Sequence, residues 1–175
     1  EPEPEPDPET PQNWVLLYRQ TFPDYWNLGD PATTYRNQDD PTNNNYSILP
    51  DIDNYRKGDG TYHLKYVNPT DNTYNEWTQT SNFTTSTRDE GITGYTPIHI
   101  DHPTANRSST DFSGLGYSSY RSLNYYDGVD GTGYAFFGVV FTSQWRTTGY
   151  PGVSFTEPYQ TVVEIYINAQ PDPEP

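Results

Sequence analysis

Seven short stretches of this chain are rich in apolar and β-favouring residues, most of them alternating with a period of two. They are Trp14–Thr21, Thr61–Val67, Asn75–Thr80, Ile92–Ile100, Leu115–Ser118, Tyr134–Phe141 and Thr161–Ile167. A period of two puts alternate side chains on opposite faces of an extended backbone, so each stretch reads as a β-strand. In TYHLKYV, Tyr62, Leu64 and Tyr66 share one face, and His63, Lys65 and Val67 share the other. YAFFGVVF, at Tyr134–Phe141, is apolar on both faces, the pattern of a central strand covered on both sides. Gly, Asn, Asp, Pro and Ser clusters separate the strands and supply turn chemistry. Only Ile48–Arg56 suits a helix, of one or two turns, with Pro50 in its first turn and Gly58-Asp59-Gly60 turning the chain into the next strand. This pattern predicts an all-β fold, an antiparallel β-sandwich of jelly-roll or lectin-like type with long loops.

Two tracts stand outside it. EPEPEPDPETPQ at 1–12 and QPDPEP at 170–175 alternate Pro with acid. Alternating Pro removes amide donors and fixes φ, so neither helix nor sheet ladder can run through them, and extended polyproline II is favoured. Like charges stiffen them further. They read as Pro/acidic linkers flanking one domain at 13–169, a module held on spacers within a longer chain. The intervening 157 residues suffice for a core, burying roughly 68–70% of the unfolded surface.

Leu, Ile, Val and Phe total only 29 of 175 residues, a level at which disorder is the usual reading. Seventeen Tyr and four Trp reverse that expectation, because aromatic rings can build the core instead. The formal charge is −15. The tracts hold seven of the 24 acids, which leaves 17 acids against nine bases in the body, a formal −8. Such a surface repels nucleic acid and acidic membranes and attracts cations. The absence of Cys argues for stabilisation by something other than disulfides, bound metal among the options. No apolar run reaches membrane length, so no membrane insertion is expected.

Two loops are candidate metal ligands. YYDGVDGTG, at Tyr125–Gly133, places Asp127 and Asp130 three apart, each followed by Gly. Neighbouring carboxylates repel unless a cation lies between them, and Ca²⁺ takes six to eight such oxygens. Asp-Gly is equally a common turn dipeptide, so a solvated turn is the competing reading. NQDDPTNNN, at Asn37–Asn45, offers Asp39, Asp40 and Asn43, again either a cation site or a polar loop. DIDNYRKGDG (Asp51, Asp53, Asp59) starts like an EF-hand loop but fails it: Tyr55 stands at the fifth position, Arg56 at the sixth and Tyr62 at the twelfth. A short capped helix accounts for it better. His99 and Asp101 share a strand face, but alternation sends His102 to the other, which disfavours zinc.

Catalytic patterns are weak. Glu76, Glu157 and Glu164 are available for a carboxylate pair, yet Glu164 sits in TVVEIYIN where a solvent-facing charge is the ordinary explanation. There is no nucleophile elbow and no phosphate-binding Gly loop, so no enzyme is expected. Tyr117, Tyr120, Tyr125, Tyr126 and Trp145 cluster in sequence around the acidic loop. They suit a recognition surface, since Tyr gives contact area at low entropic cost, or else replace aliphatic core. Three sequons, at Asn45, Asn82 and Asn106, match the chance frequency for 14 Asn and 34 Ser/Thr and carry no information.

The stretches LLYRQTFPDYW, NNYSILPDIDNYR, GTYHLKYV, NEWTQTSN, GYTPIHID, SGLGYSS and LNYYDGVDGTGYAFFGVV, in this order, resemble a domain of marine invertebrate matrix proteins. They are also similar to ligand-binding modules of large bacterial repeats-in-toxin adhesins. That resemblance implies a calcium-dependent sandwich that binds the free C-terminal end of proteins on a host or neighbouring cell, as a monomeric module of a multidomain extracellular chain. It points to Asp127 and Asp130 first, then Asp39, Asp40 and Asn43, as metal ligands. A carbohydrate-binding lectin module is the alternative, with Tyr and Trp stacking on sugar faces.

Overall fold

The computed structural model describes residues 13–21, 34–69, 72–85, 92–102, 112–118, 122–124, 139–140 and 162–169. Among these the fold is all-β. Nine strands occur in chain order: β1 (Trp14–Thr21), β2 (Tyr46–Ser47), β3 (Tyr62–Asn68), β4 (Thr73–Gln79), β5 (Thr96–Ile100), β6 (Gly116–Ser118), β7 (Ser122–Asn124), β8 (Val139–Val140) and β9 (Val162–Asn168). A single 3-10 helix, Leu49–Tyr55, carries its Pro in the first turn. Six strands form one sheet in the order β2-β1-β9-β3-β4-β5, and β6-β7-β8 form a second. Every pairing is antiparallel.

The first and last strands are partners at the middle of the large sheet. Trp14 stands opposite Asn168 and Thr21 opposite Val162. Just outside that ladder, the Ala169 amide donates to the Asn13 carbonyl at 2.8 Å. Residues 13 and 169, the two limits of the expected domain, therefore sit side by side at one end of the sheet.

Alternation fixes the faces. Tyr62, Leu64 and Tyr66 of β3 are buried, with Trp77 of β4 and Ile165 and Ile167 of β9 beside them. Leu49 and Ile52 of the 3-10 helix, Phe83, Phe112 and Leu115 close over this face. Fully burying one such side chain contributes about 1.5–3 kcal/mol, so the aromatics supply what the sparse aliphatics cannot. Tyr18, Tyr62 and Tyr66 are at most 2% exposed, and Trp77 meets Phe112 edge to face at 4.9 Å. Tyr18 is fully buried and its hydroxyl donates to Gln20 Oε1 at 3.0 Å, so the polar end of the ring is satisfied.

Two irregularities break the alternation. The β1–β9 register shifts between Leu16 and Tyr18, which lets the consecutive Leu17 and Tyr18 both face inward. The β4–β5 register shifts between Glu76 and Trp77, whose partners are His99 and Pro97. Ile98 is the extra residue and is 54% exposed.

Leu115, next to β6, is held by the Gln79 side chain. Gln79 Nε2 donates to the Leu115 carbonyl and Gln79 Oε1 accepts from the Leu115 amide, each at 3.0 Å, so a side-chain amide stands in for a neighbouring strand. Gln79 Oε1 also accepts from Trp77 Nε1 at 2.8 Å. Gly114 makes the approach possible. Its φ of +104° is a glycine conformation, and a Cβ there would lie 2.8 Å from Gln79 Oε1.

The strands deviate from the sequence reading at their ends. β4 starts two residues early, and β5 covers only Thr96–Ile100 of the predicted Ile92–Ile100. Gly94, at φ +66°, interrupts the extended backbone before β5, while the Thr93 carbonyl accepts from the Thr80 amide at 2.9 Å. Most of Tyr134–Phe141 lies outside the described residues; Val139 and Val140 pair with β7.

Candidate functional site

The register sorts the loops between the two ends of the sheet. β1 runs from the Asn13/Ala169 junction to Thr21, and β9 returns. The 3-10 helix and the Lys57–Thr61 turn lead into the near end of β3, where Lys57 Nζ reaches Asn168 Oδ1 at 3.4 Å. The Asn37–Asn45 segment lies at the far end. Its Asn44 carbonyl accepts from Thr21 Oγ1 at 2.9 Å, and its Asn45 Oδ1 accepts from the Thr21 amide at 3.4 Å. The candidate residues Asp39, Asp40 and Asn43 are thus presented opposite the chain junction.

Local sequence explains the shape of this loop. Asn37 adopts φ +46°, a left-handed conformation Asn tolerates, and its Nδ2 donates to the Asn45 carbonyl at 2.6 Å. Asp40, in Asp-Pro-Thr, bends back on the chain: Oδ1 accepts from Thr42 Oγ1 at 2.6 Å and the Thr42 amide at 3.1 Å. Asn43 Nδ2 reaches Asp40 Oδ2 at 3.5 Å, while Asn43 Oδ1 accepts from the Asn45 amide at 3.1 Å. The Thr42 hydroxyl and amide hold the exposed Asp40 carboxyl below its usual range. Asp40 and Asn43 are brought together, but largely to satisfy the loop itself. Asp39 is exposed beside them. Among the described residues no three His, Cys, Asp or Glu side chains gather as a metal-holding group.

The second candidate loop, with Asp127, Asp130, Tyr125 and Tyr126, lies in sequence between β7 and β8 and outside the described residues; Tyr120 and Trp145 are also outside them. The backbone of Tyr117 pairs with Leu123 in the small sheet. Its side chain is not described.

A second constellation, which the sequence did not single out as a unit, covers the outer face of the large sheet. Across β9, β3, β4 and β5 the register aligns Tyr166, Lys65, Glu76 and His99 in one row. Glu76 is 5% exposed. Its Oε1 lies 2.8 Å from His63 Nε2 and its Oε2 3.3 Å from Lys65 Nζ. Burial pushes the Glu76 carboxyl up, but the His63 contact and the Lys65 charge together hold it below the usual range. Lys65 Nζ also lies 4.4 Å from the Trp14 ring centre and 4.5 Å from that of Tyr74, a cation between two π faces. Tyr74 stacks on His99 at 4.3 Å, and His99 Nε2 is 3.0 Å from Asp101 Oδ1.

One row further, Arg19 Nε meets Glu164 Oε1 at 2.6 Å, and Tyr166 donates its hydroxyl to Glu164 Oε2 at 2.7 Å. Burial and the bond to Glu164 raise the Tyr166 phenol to about 12, against the opposing pull of Arg19. Glu164 lies on the predicted face but is 8% exposed, not solvated. The long Arg19 and Tyr166 side chains cover it. His99 and Asp101 share a face as alternation demands, while His102 Nε2 turns to Thr73 Oγ1 at 3.0 Å. The signal that could have exposed this lattice is the β3–β4 hairpin, whose short connection sets Lys65 opposite Glu76.

Asp53 accepts from Tyr62 Oη and from Asn82 Nδ2, which ties the 3-10 helix to β3 and to the chain after β4. Burial, then the bond to Asp53, raises the Tyr62 phenol to about 12. The helix has no side-chain N-cap, so its acids serve long-range contacts and not a cap.

Comparison with known proteins yields no match: no family model, no curated protein and no solved structure aligns with this chain. No helix among the described residues is long and apolar enough to cross a membrane.

Proposed function

We propose that this chain is a calcium-dependent, extracellular ligand-binding module of a cell-surface adhesin, which takes the C-terminal end of a peptide or protein. The observation that carries the reading is the division of the sheet into two ends. The Asn13–Ala169 junction occupies one end, and the Asn37–Asn45 loop, tied to Thr21 through Asn44 and Asn45, occupies the other. A module attached through one end and acting through the other needs that arrangement.

The chemistry supports it in three ways. The body carries a formal −8, which draws cations and repels nucleic acid. The Tyr125–Gly133 sequence supplies two further carboxylates with Gly beside them, suited to a hard cation with oxygen ligands. On the outer face of the large sheet, the carboxylates of Glu76 and Glu164 are each matched to cationic or hydroxyl partners. That favours a structural lattice there, and leaves the loop end to recognition. Calcium would neutralise the Asp127 and Asp130 carboxylates and offer a positive centre to a ligand carboxylate.

The test is calcium titration by calorimetry, thermal melting with and without chelator, and a peptide array with free and amidated C-termini beside a glycan array. The reading predicts a lower melting temperature on chelation and binding only to free C-termini in calcium. Binding indifferent to chelation and to amidation would sink it, and glycan binding alone would establish a lectin instead.

A further inference from the structure

Arg19 does more than neutralise Glu164. From β1 its Nη1 donates to the Pro41 carbonyl at 2.6 Å and to the Asn43 carbonyl at 3.3 Å, while Nε holds Glu164 Oε1 at 2.6 Å. A guanidinium therefore sits where one carboxylate and two loop carbonyls converge. Those oxygen types, a carboxylate and turn carbonyls, are also the ligands a hard cation takes. Arg19 is 20% exposed and Glu164 10% at the side chain, so the contact is only partly screened by solvent. The fork of Arg is matched to several acceptors at once, which an ammonium cannot equal with the same geometry.

We infer that Arg19 is the resident cation of the Asn37–Asn45 loop, a positioning residue that orders this loop without metal. The inference rests on the reading of this end as the binding end for its functional consequence. Calcium dependence is then confined to ligands outside this loop. The Asp39–Asn43 segment is held in place in calcium and in chelator alike. Arg19 also links the loop to the centre of the sheet, because Glu164 belongs to β9 and Tyr166 donates to the same carboxylate.

Amide hydrogen exchange read residue by residue on the full chain tests this. The probes are the amides of Asp40 and Asn43, which donate to the Asn37 and Asp40 carbonyls. Strand amides of β4 report that the sheet remains folded. In the native chain, protection of the probes is expected to be the same in calcium and in chelator. Arg19→Met should lower it about tenfold while β4 stays protected, and Arg19→Lys should lose only about threefold. Met and Lys have similar length, so the difference isolates charge from packing. The inference is overturned if chelation alone removes the protection in the native chain. It is equally overturned if Arg19→Met keeps protection, or if Lys performs no better than Met. The functional reading fails separately, on the calcium titration and the peptide array, neither of which enters this comparison.

Discussion

The two faces of the large sheet are built from the same strands by opposite means. The inner face is closed by rings and aliphatic side chains, with Trp77, Tyr18, Tyr62 and Tyr66 almost fully buried. Its few polar groups, such as Gln79 and Gln20, make the hydrogen bonds that a core requires. The outer face carries two carboxylates at its centre, Glu76 and Glu164, each surrounded by long side chains that both pair with it and cover it. Inside, removing atoms leaves a void. Outside, it unbalances charge, with a cost set by pH and salt. A chain poor in Leu, Ile, Val and Phe thus stabilises one sheet twice, by burial on one side and by a lattice of charge and aromatic contacts on the other.

The largest expected effect is on the inner face. Trp77→Ala removes a fully buried ring, its edge contact with Phe112 and the donor to Gln79, and should cost about 3–5 kcal/mol in urea unfolding. Ile165→Val, a smaller cut into the same fully buried layer, should cost about 0.5–1.5 kcal/mol. If the tryptophan were no costlier than that methylene, the inner face would not be a packed core.

Gln79→Leu comes next. It keeps apolar volume but strands the Trp77 indole donor and both backbone groups of Leu115, so a loss of about 3 kcal/mol is expected. The same measurement, with faster exchange at the Leu115 amide as a second reading, would show whether the side-chain amide is what secures the approach to β6.

Glu76→Gln tests the outer face through pH. The folded Glu76 carboxyl titrates below its usual value of 4.5, so the ion form is favoured by folding. Its contribution is therefore present above pH 4.5 and is lost as pH falls through the lower, folded value. The native chain should be the more stable at pH 7, and the difference between the two proteins should close as pH falls through the folded value, read as urea midpoints. A gap that persists unchanged into acid would mean that Glu76 acts by shape and not by charge.

The smallest effect is predicted at the bulge. Ile98 is 54% exposed and outside the core, so Ile98→Thr should change stability by less than about 0.5 kcal/mol. A larger loss would mean that the outer surface at β5 is packed against something in solution.

The inner face was legible from sequence because it depends on alternation. Trp14–Thr21 forms β1 with the predicted bounds, and Tyr62, Leu64 and Tyr66 face inward together. The helix near Ile48–Arg56 was visible in Pro50 and the following Gly-Asp-Gly. Alternation could not reveal the bulge at Leu17, where an extra residue turns two neighbours inward, nor the two-residue β2, whose pairing with β1 depends on a loop closing back. The outer lattice was hidden for a different reason. Arg19 and Glu164 lie 145 positions apart, and only the pairing of the first and last strands makes them neighbours. The Asp40 turn, by contrast, is local: a Thr two residues after an Asp is a turn signal in its own right.

The closing bond between residues 13 and 169 has a mechanical consequence. A pull that separates these two residues acts across the ladder of β1 and β9 and not along it. The load falls first on the Ala169–Asn13 bond, then on the Trp14–Asn168 pair, and passes strand position by strand position. The sheet would peel open from this junction at modest force, because the bonds share none of the load. Traction applied instead between residue 13 and the Asn37–Asn45 end would run along β1 and strain its bonds in parallel. Tension at the junction and tension between residue 13 and the Asn37–Asn45 end are therefore borne by the same strands with very different resistance.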